Sequence, residues 1–249
     1  MLEASRRRLA DELAPDWKVL DVGGWADPFE RADWVIDLMP YETRGLYEQK
    51  GWIEPREREP ERFSRDTWVQ RDICGREPWP FDDDAFDFVI CAQTLEDVRD
   101  PVWVCSEIAR VGRAGYIEVP SRLMEQTYGH QGPWVGYGHH HWLIDVDGDH
   151  ISFTFKHHVI HRRRECHFPY GFDRQLSDAE RNTTLWWEGS FSYEERIFLD
   201  SAELDRYLIS FVEANRHGRE VPSRWLGIAN LVLSRAGLRR WPSRSKPGD

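Results

Sequence analysis

"VLDVGGWADPF", residues 19 to 29, joins a short apolar run to a pair of glycines. Val19, Leu20 and Val22 read as a strand, and Gly23 with Gly24 as the turn that leaves it. A loop after the first strand of a parallel sheet is where ligands bind, because strand carboxyl ends and helix N-terminal amides meet there. A dinucleotide loop would carry G-x-G-x-x-G. Counting from Gly23, the second and third glycine positions hold Trp25 and Pro28, which deny a pyrophosphate its close backbone approach. The stretch therefore points to a cofactor without a pyrophosphate.

Outward from that turn, the first half alternates strand-like and helix-like segments, the pattern of a doubly wound, mostly parallel α/β sheet. Residues 3–14 read as a helix, and 18–23, 33–38, 67–73, 85–93 and 115–121 as strands. Asp100 followed by Pro101 starts a helix as N-cap and first helical residue, and Gly112 and Gly115 close it. Right-handed crossovers then place helices on both faces. Residues 40–66 are rich in Glu, Arg and Pro and read as a surface insertion. After Ser121 the texture changes. "HWLIDVDGDHISFTF" (141–155) alternates on both sides of an Asp-Gly turn and reads as a hairpin. Residues 191–199 read as a further strand, and 201–218 and 223–237 as helices. The division expected is a core over 1–121 and a substrate-side cap over 122–249, with a solvated basic tail at 238–249.

The chain of 249 residues is long enough for one good-sized core. Its four cysteines share no CxxC spacing, which predicts reduced thiols. No apolar run approaches the ~18 residues of a membrane span, and the opening "MLEASRRRLADELAP" lacks the apolar core of a signal peptide. A soluble, cytoplasmic protein without a membrane partner is expected. The net charge of −11 argues against a broad nucleic-acid surface. Thirteen tryptophans suggest aromatic pocket walls suited to a small molecule.

Three acids follow three apolar strands: Asp21, Asp37 and Asp72. Each taken singly is a common strand-end cap. Taken together they face one crevice, and they supply what S-adenosylmethionine (SAM) asks for: backbone room at one or two glycines, a carboxylate for the ribose diol and a polar group for the adenine. "VLDVGG" (19–24), "ADWVIDL" (32–38), "RDICGREPWPFDDDAFDFVICAQTLEDVRDP" (71–101) and "SEIARVGRAGYIEVPS" (106–121) resemble the class I SAM-dependent methyltransferases. The likeness is to the small bacterial enzymes with a "LEHV"-like segment after strand four, and it covers about residues 15–121. It implies a Rossmann-like sheet of seven strands and SAM as cofactor. By the same resemblance Asp21, Gly23 and Gly24 hold the methionine end, with Trp25 beside them. Asp37 and Leu38 take the ribose, Asp72 and Ile73 the adenine, and Ala92, Gln93 and Thr94 pass beneath the sulfonium.

Two departures stand out. Trp25 replaces a glycine of the loop, and Asp97 stands where many relatives carry histidine. Nine of the ten histidines fall between residues 130 and 167. His139, His140 and His141 are candidates for a general base at the acceptor pocket. The set His157, His158, His161, Cys166 and His167 matches no familiar zinc spacing, and on a strand His157 and His158 point to opposite faces, so no metal site is assigned. The reading reached is methyl transfer to oxygen or nitrogen of a small molecule by direct displacement. The rivals are a SAM-binding protein without transferase activity and a metal-dependent enzyme using the histidine-rich region.

Overall fold

The computed structural model describes residues 1–53 and 60–216. In chain order the helices are α1 (Glu3–Glu12), α2 (Leu46–Gln49), α3 (Pro101–Val111), α4 (Arg122–Glu125), α5 (Val159–Arg162), α6 (Asp178–Arg181) and α7 (Ser201–Arg216). The strands are β1 (Val19–Val22), β2 (Trp34–Asp37), β3 (Trp68–Gln70), β4 (Phe88–Ala92), β5 (Ala114–Pro120), β6 (Trp142–Asp147), β7 (His150–Phe155), β8 (Asn182–Glu188) and β9 (Ser192–Glu195).

The main sheet has the order β3-β2-β1-β4-β5-β8. Its first five strands are parallel, and β8 pairs antiparallel with β5. Strand order reverses between β1 and β4, the switch point at which doubly wound sheets open a crevice. Alternation along each strand builds two cores. Leu20, Val22, Val89, Cys91, Ile117 and Val119 pack on one face with Val104, Ile108 and Val111 of α3. Val19, Val35, Phe88, Ile90 and Tyr116 pack on the other with Leu9 of α1. The start of α3 is set locally: the Asp100 carboxylate accepts from Trp103 N–H at 3.0 Å, with Pro101 at the first helical position.

The hairpin forms in the register that the alternation demands, Trp142 opposite Phe155, Ile144 opposite Phe153 and Val146 opposite Ile151. Gly148, at φ +61°, supplies the left-handed turn residue. Three details differ from the sequence pattern or add to it. Six strands of the main sheet lie among the described residues, and the 191–199 segment forms β9 beside β7 in a separate three-stranded sheet. The strand β8 came without a sequence reading of its own. Strand β7 stops at Phe155, and His158 caps the short α5, so His157 and His158 are not strand residues. The helix read over 223–237 and the tail over 238–249 lie outside the described residues.

The chain divides into two compact units. The first comprises residues 1–122, 140–156 and 178–197, so it takes in the hairpin and β8 as well as the expected core. The second comprises, among the described residues, 123–139, 157–177 and 198–216. It has its own apolar centre of Met124, Phe168, Phe172, Leu176 and Val212, with Phe168 and Phe172 stacked at 4.0 Å. Gln126 Nε2 donates there to the carbonyls of Cys166 and Leu208, and His130 Nδ1 lies 2.8 Å from Asp173. All four cysteines are free and buried. No described helix is long and apolar enough to cross a membrane.

Candidate cofactor site

The site lies in the first unit, at the carboxyl ends of β1, β2 and β4. A small pocket there is lined by Asp21, Gly23, Gly24, Ala92 and Gln93 together with Met1, Ala26, Asp27 and Tyr47. Five of the expected cofactor residues thus meet on one wall.

The glycines are there because side chains have no room. Gly23 has φ +74°, and a Cβ on it would lie 2.3 Å from Thr94 Cγ2. A Cβ on Gly24 would lie 2.2 Å from Asp21 Oδ2. The turn is anchored by Gly23 N–H to the Ile36 carbonyl at 2.9 Å, and Thr94 Oγ1 sits 3.4 Å from the carbonyl oxygens of Val22 and Gly23. Beneath it, Asp21 is 4% exposed and accepts from Phe29 N–H at 2.9 Å. Burial pushes its pKa up to about 7, against the pull of that N–H and of Arg6. Arg6 itself is held between Asp27 and Glu30.

Asp37 closes β2 with one oxygen on Trp25 N–H at 3.0 Å and the other on Met39 N–H at 2.7 Å. Burial raises its pKa, opposed by those two N–H groups. Trp25 contributes its peptide to the site, while its ring turns away: Nε1 donates to Thr43 Oγ1 at 3.0 Å and the ring packs beside the α1-side core. Leu38 projects with 61% of its surface exposed. Asp72, after β3, pairs with Arg99 at 2.6 Å and accepts from Cys74 N–H at 3.0 Å. Its carboxyl lies below the ordinary value, chiefly through the Arg99 hydrogen bond. Ile73 beside it is buried. Gln93 has φ +56°, rare for a residue with a Cβ, and its side chain donates to Glu118 and Asn182.

The three candidate bases differ in burial. His139 belongs to the second unit and is exposed. His140, in the first unit, is buried with Nε2 3.8 Å from Asp97 Oδ1, so an imidazole stands beside position 97 although the sequence there is acidic. His141 is exposed, and its peptide links Glu96 to Lys156 through bonds of 2.7 and 2.8 Å. None of the three lines the pocket. Residues missed by sequence reasoning are Asp27 and Tyr47. Tyr47 belongs to the 40–66 insertion, which is tied to the loop by Gly45 N–H to the Trp25 carbonyl (2.8 Å) and Tyr47 N–H to the Ala26 carbonyl (3.0 Å).

The donor set fits SAM: a glycine cradle that any Cβ would fill, a buried carboxylate under it, and an acid at the end of β2 with lone pairs to spare. Residues 53–117 match the family model described as a methyltransferase domain. The match covers about a quarter of the chain, over β3, β4, α3 and most of β5. Over that stretch the chain is similar to a methyltransferase domain.

Solved structures similar to part of this chain include the YcgJ protein from Bacillus subtilis, at 19% identity over 48% of this chain and 52% of that one, TM-score 0.34. Another is a SAM-dependent methyltransferase from Aquifex aeolicus, at 17% identity over 51% and 68%, TM-score 0.32. A third is the [4+2]-cyclase SpnF, at 19% over 47% and 43%, TM-score 0.31. The chain spans about half the length of the first structures it matches. Comparison with curated proteins gives no match.

Proposed function

We propose that this protein transfers the methyl group of SAM to nitrogen or oxygen of a small-molecule acceptor by in-line displacement. The observation that carries the reading is the glycine turn over Asp21: Gly23 and Gly24 leave backbone exposed where a side chain would collide with Asp21 or Thr94. When bound, SAM supplies a methyl group already activated by its sulfonium charge. The chain's own residues then need to position and dehydrate more than to activate. Asp21 offers a buried carboxyl group to the amino-acid end, the Gly23–Gly24 backbone offers room, and Asp37 offers carboxylate oxygens to the ribose hydroxyls. Asp72 with Ile73 is the adenine side. This assignment makes the site a cofactor pocket for one purpose, and it leaves the acceptor to the neighbouring carboxyl edge.

Calorimetric titration with SAM and with S-adenosylhomocysteine (SAH) tests the reading directly. Saturable binding of both is expected. Absence of binding to either overturns it, and binding without turnover on a broad acceptor panel makes the protein a SAM-binding module instead.

A further inference from the structure

The carboxyl ends of β4 and β5 and the amino end of β8 open on a second cavity, of about 410 Å³, that shares Gln93 with the cofactor pocket. Its polar lining is Glu3, Gln93, Glu118, Asp178 and Asn182, and the Met1 amino group is the one cation among the lining residues. Glu118 is 1% exposed, yet it sits at the C-terminal part of a strand in a sheet interior. It accepts from Leu2 N–H at 2.8 Å, from the Tyr116 hydroxyl and from Gln93 Nε2 at 3.0 Å. The amino group of Met1 lies 3.6 Å from its Oε1.

The orientation of Gln93 is fixed by its neighbours. A carboxylate only accepts, so the group facing Glu118 is the amide nitrogen. The same nitrogen donates to Asn182 Oδ1 at 2.8 Å, and Asn182 is itself oriented by donating Nδ2 to the Asp178 carbonyl at 3.0 Å. Both Nε2 hydrogens are thereby used. The remaining Gln93 group is Oε1, an acceptor on which no described residue donates. The left-handed backbone at Gln93 is what carries this side chain to the border of the two cavities. Strained non-glycine residues of this kind recur where a site dictates the backbone.

We propose that this second cavity receives the methyl acceptor and that the acceptor is a small amine, one N–H held by Gln93 Oε1 and its charge faced by Asp178, since Glu118 is already matched by the Met1 amino group. The proposal rests on the SAM reading above. The amine enters as its ammonium form and gives one proton to solvent. Its nitrogen lone pair then forms the new N–C bond while the methyl–sulfur bond breaks, with that pair remaining on sulfur. Positive charge moves from sulfur to nitrogen in the step. An acidic lining favours charge that arrives there. A hydroxyl acceptor has the opposite requirement, since it must lose a proton and build negative charge against the same carboxylates.

The test uses the full chain saturated with SAH, titrated calorimetrically with benzylamine and with benzyl alcohol. Alongside it, a panel of primary amines and matched alcohols is scored for SAH release from SAM. Amines are expected to bind and turn over, and alcohols to do neither. Asp178→Asn removes one exposed charge while keeping the carbonyl that orients Asn182. It is expected to weaken amine binding about three- to tenfold, the scale of one partly screened charge, with SAM affinity unchanged. If SAM binds but alcohols are the acceptors, or if amines neither bind the SAH-saturated protein nor turn over, this inference is overturned alone. Failure of SAM and SAH to bind overturns it together with the cofactor reading.

Discussion

Asp21→Asn isolates the cost of keeping a carboxylate beneath the glycine turn. The native group is 4% exposed, and its pKa is raised from 3.8 to about 7, first by desolvation. The folded state therefore holds the proton more tightly than the unfolded chain. The contribution of Asp21 to stability is greatest below about pH 3.8, falls as pH rises toward 7, and levels off above it. A gap of about three pK units, at ~1.36 kcal/mol each, sets a ceiling of about 4 kcal/mol. Roughly 2.5 kcal/mol of this develops between about pH 5 and pH 8. Asparagine keeps the shape and an oxygen for Phe29 N–H, and it does not titrate. Urea unfolding of both proteins at those two pH values gives the comparison. The stability of Asp21→Asn relative to the native chain should rise by about 2 to 3 kcal/mol on going to the higher pH. Parallel profiles would refute the burial argument, since every other titrating group is common to the two proteins.

Further outcomes follow from individual contacts. Asp37→Ala should weaken SAM binding by about 1 to 3 kcal/mol in calorimetry, because ribose hydroxyls lose a charged acceptor; unchanged affinity would place the ribose elsewhere. Gly24→Ala drives a Cβ to 2.2 Å from Asp21 Oδ2, and should cost about 1 to 3 kcal/mol in urea unfolding while abolishing SAM binding. Trp25→Phe removes the Nε1–Thr43 bond but keeps the peptide N–H on Asp37. It should lose about 0.5 to 1.5 kcal/mol of stability and leave SAM affinity intact; a large loss of affinity would make the ring part of the site. Asp100→Ala deletes the N-cap of α3 and should lower stability by about 1 kcal/mol, read as a lower Tm.

The parts of the fold that were legible in the sequence are those set by neighbours along the chain. Alternation over 142–155 fixed the hairpin register, since a slip of one residue would turn Ile144 and Phe153 out of the core. Asp100-Pro101 announced α3 because the cap bond spans only three residues. What stayed hidden depends on distant segments. Residues 182–188 carry no signal saying that they pair with β5, and 192–195 none saying that they join β7 rather than the main sheet. In the site, the line of Asp21, Gly23, Gly24, Ala92 and Gln93 was legible because each ends or leaves an apolar strand. Tyr47 was not, because a polar insertion is brought to the pocket by peptide bonds to Trp25 and Ala26 that leave no mark on side-chain pattern. The imidazole beside Asp97 was likewise hidden, coming from His140 across the fold.

The pairing of β5 with β8 also sets a timetable for the growing chain. Strand β5 ends at Pro120, and the strand that covers its free edge is complete only at Glu188. At about 5–20 residues per second, that edge emerges unpaired for roughly 3 to 14 seconds during synthesis. An apolar edge such as Tyr116–Ile117 is a template for intermolecular pairing over that interval. Glu118 and Pro120 lie on the same strand, an inward charge and a residue with no N–H to offer. Both are devices that discourage a foreign strand from docking. The acid that lines a cavity in the finished molecule thus guards the unfinished one.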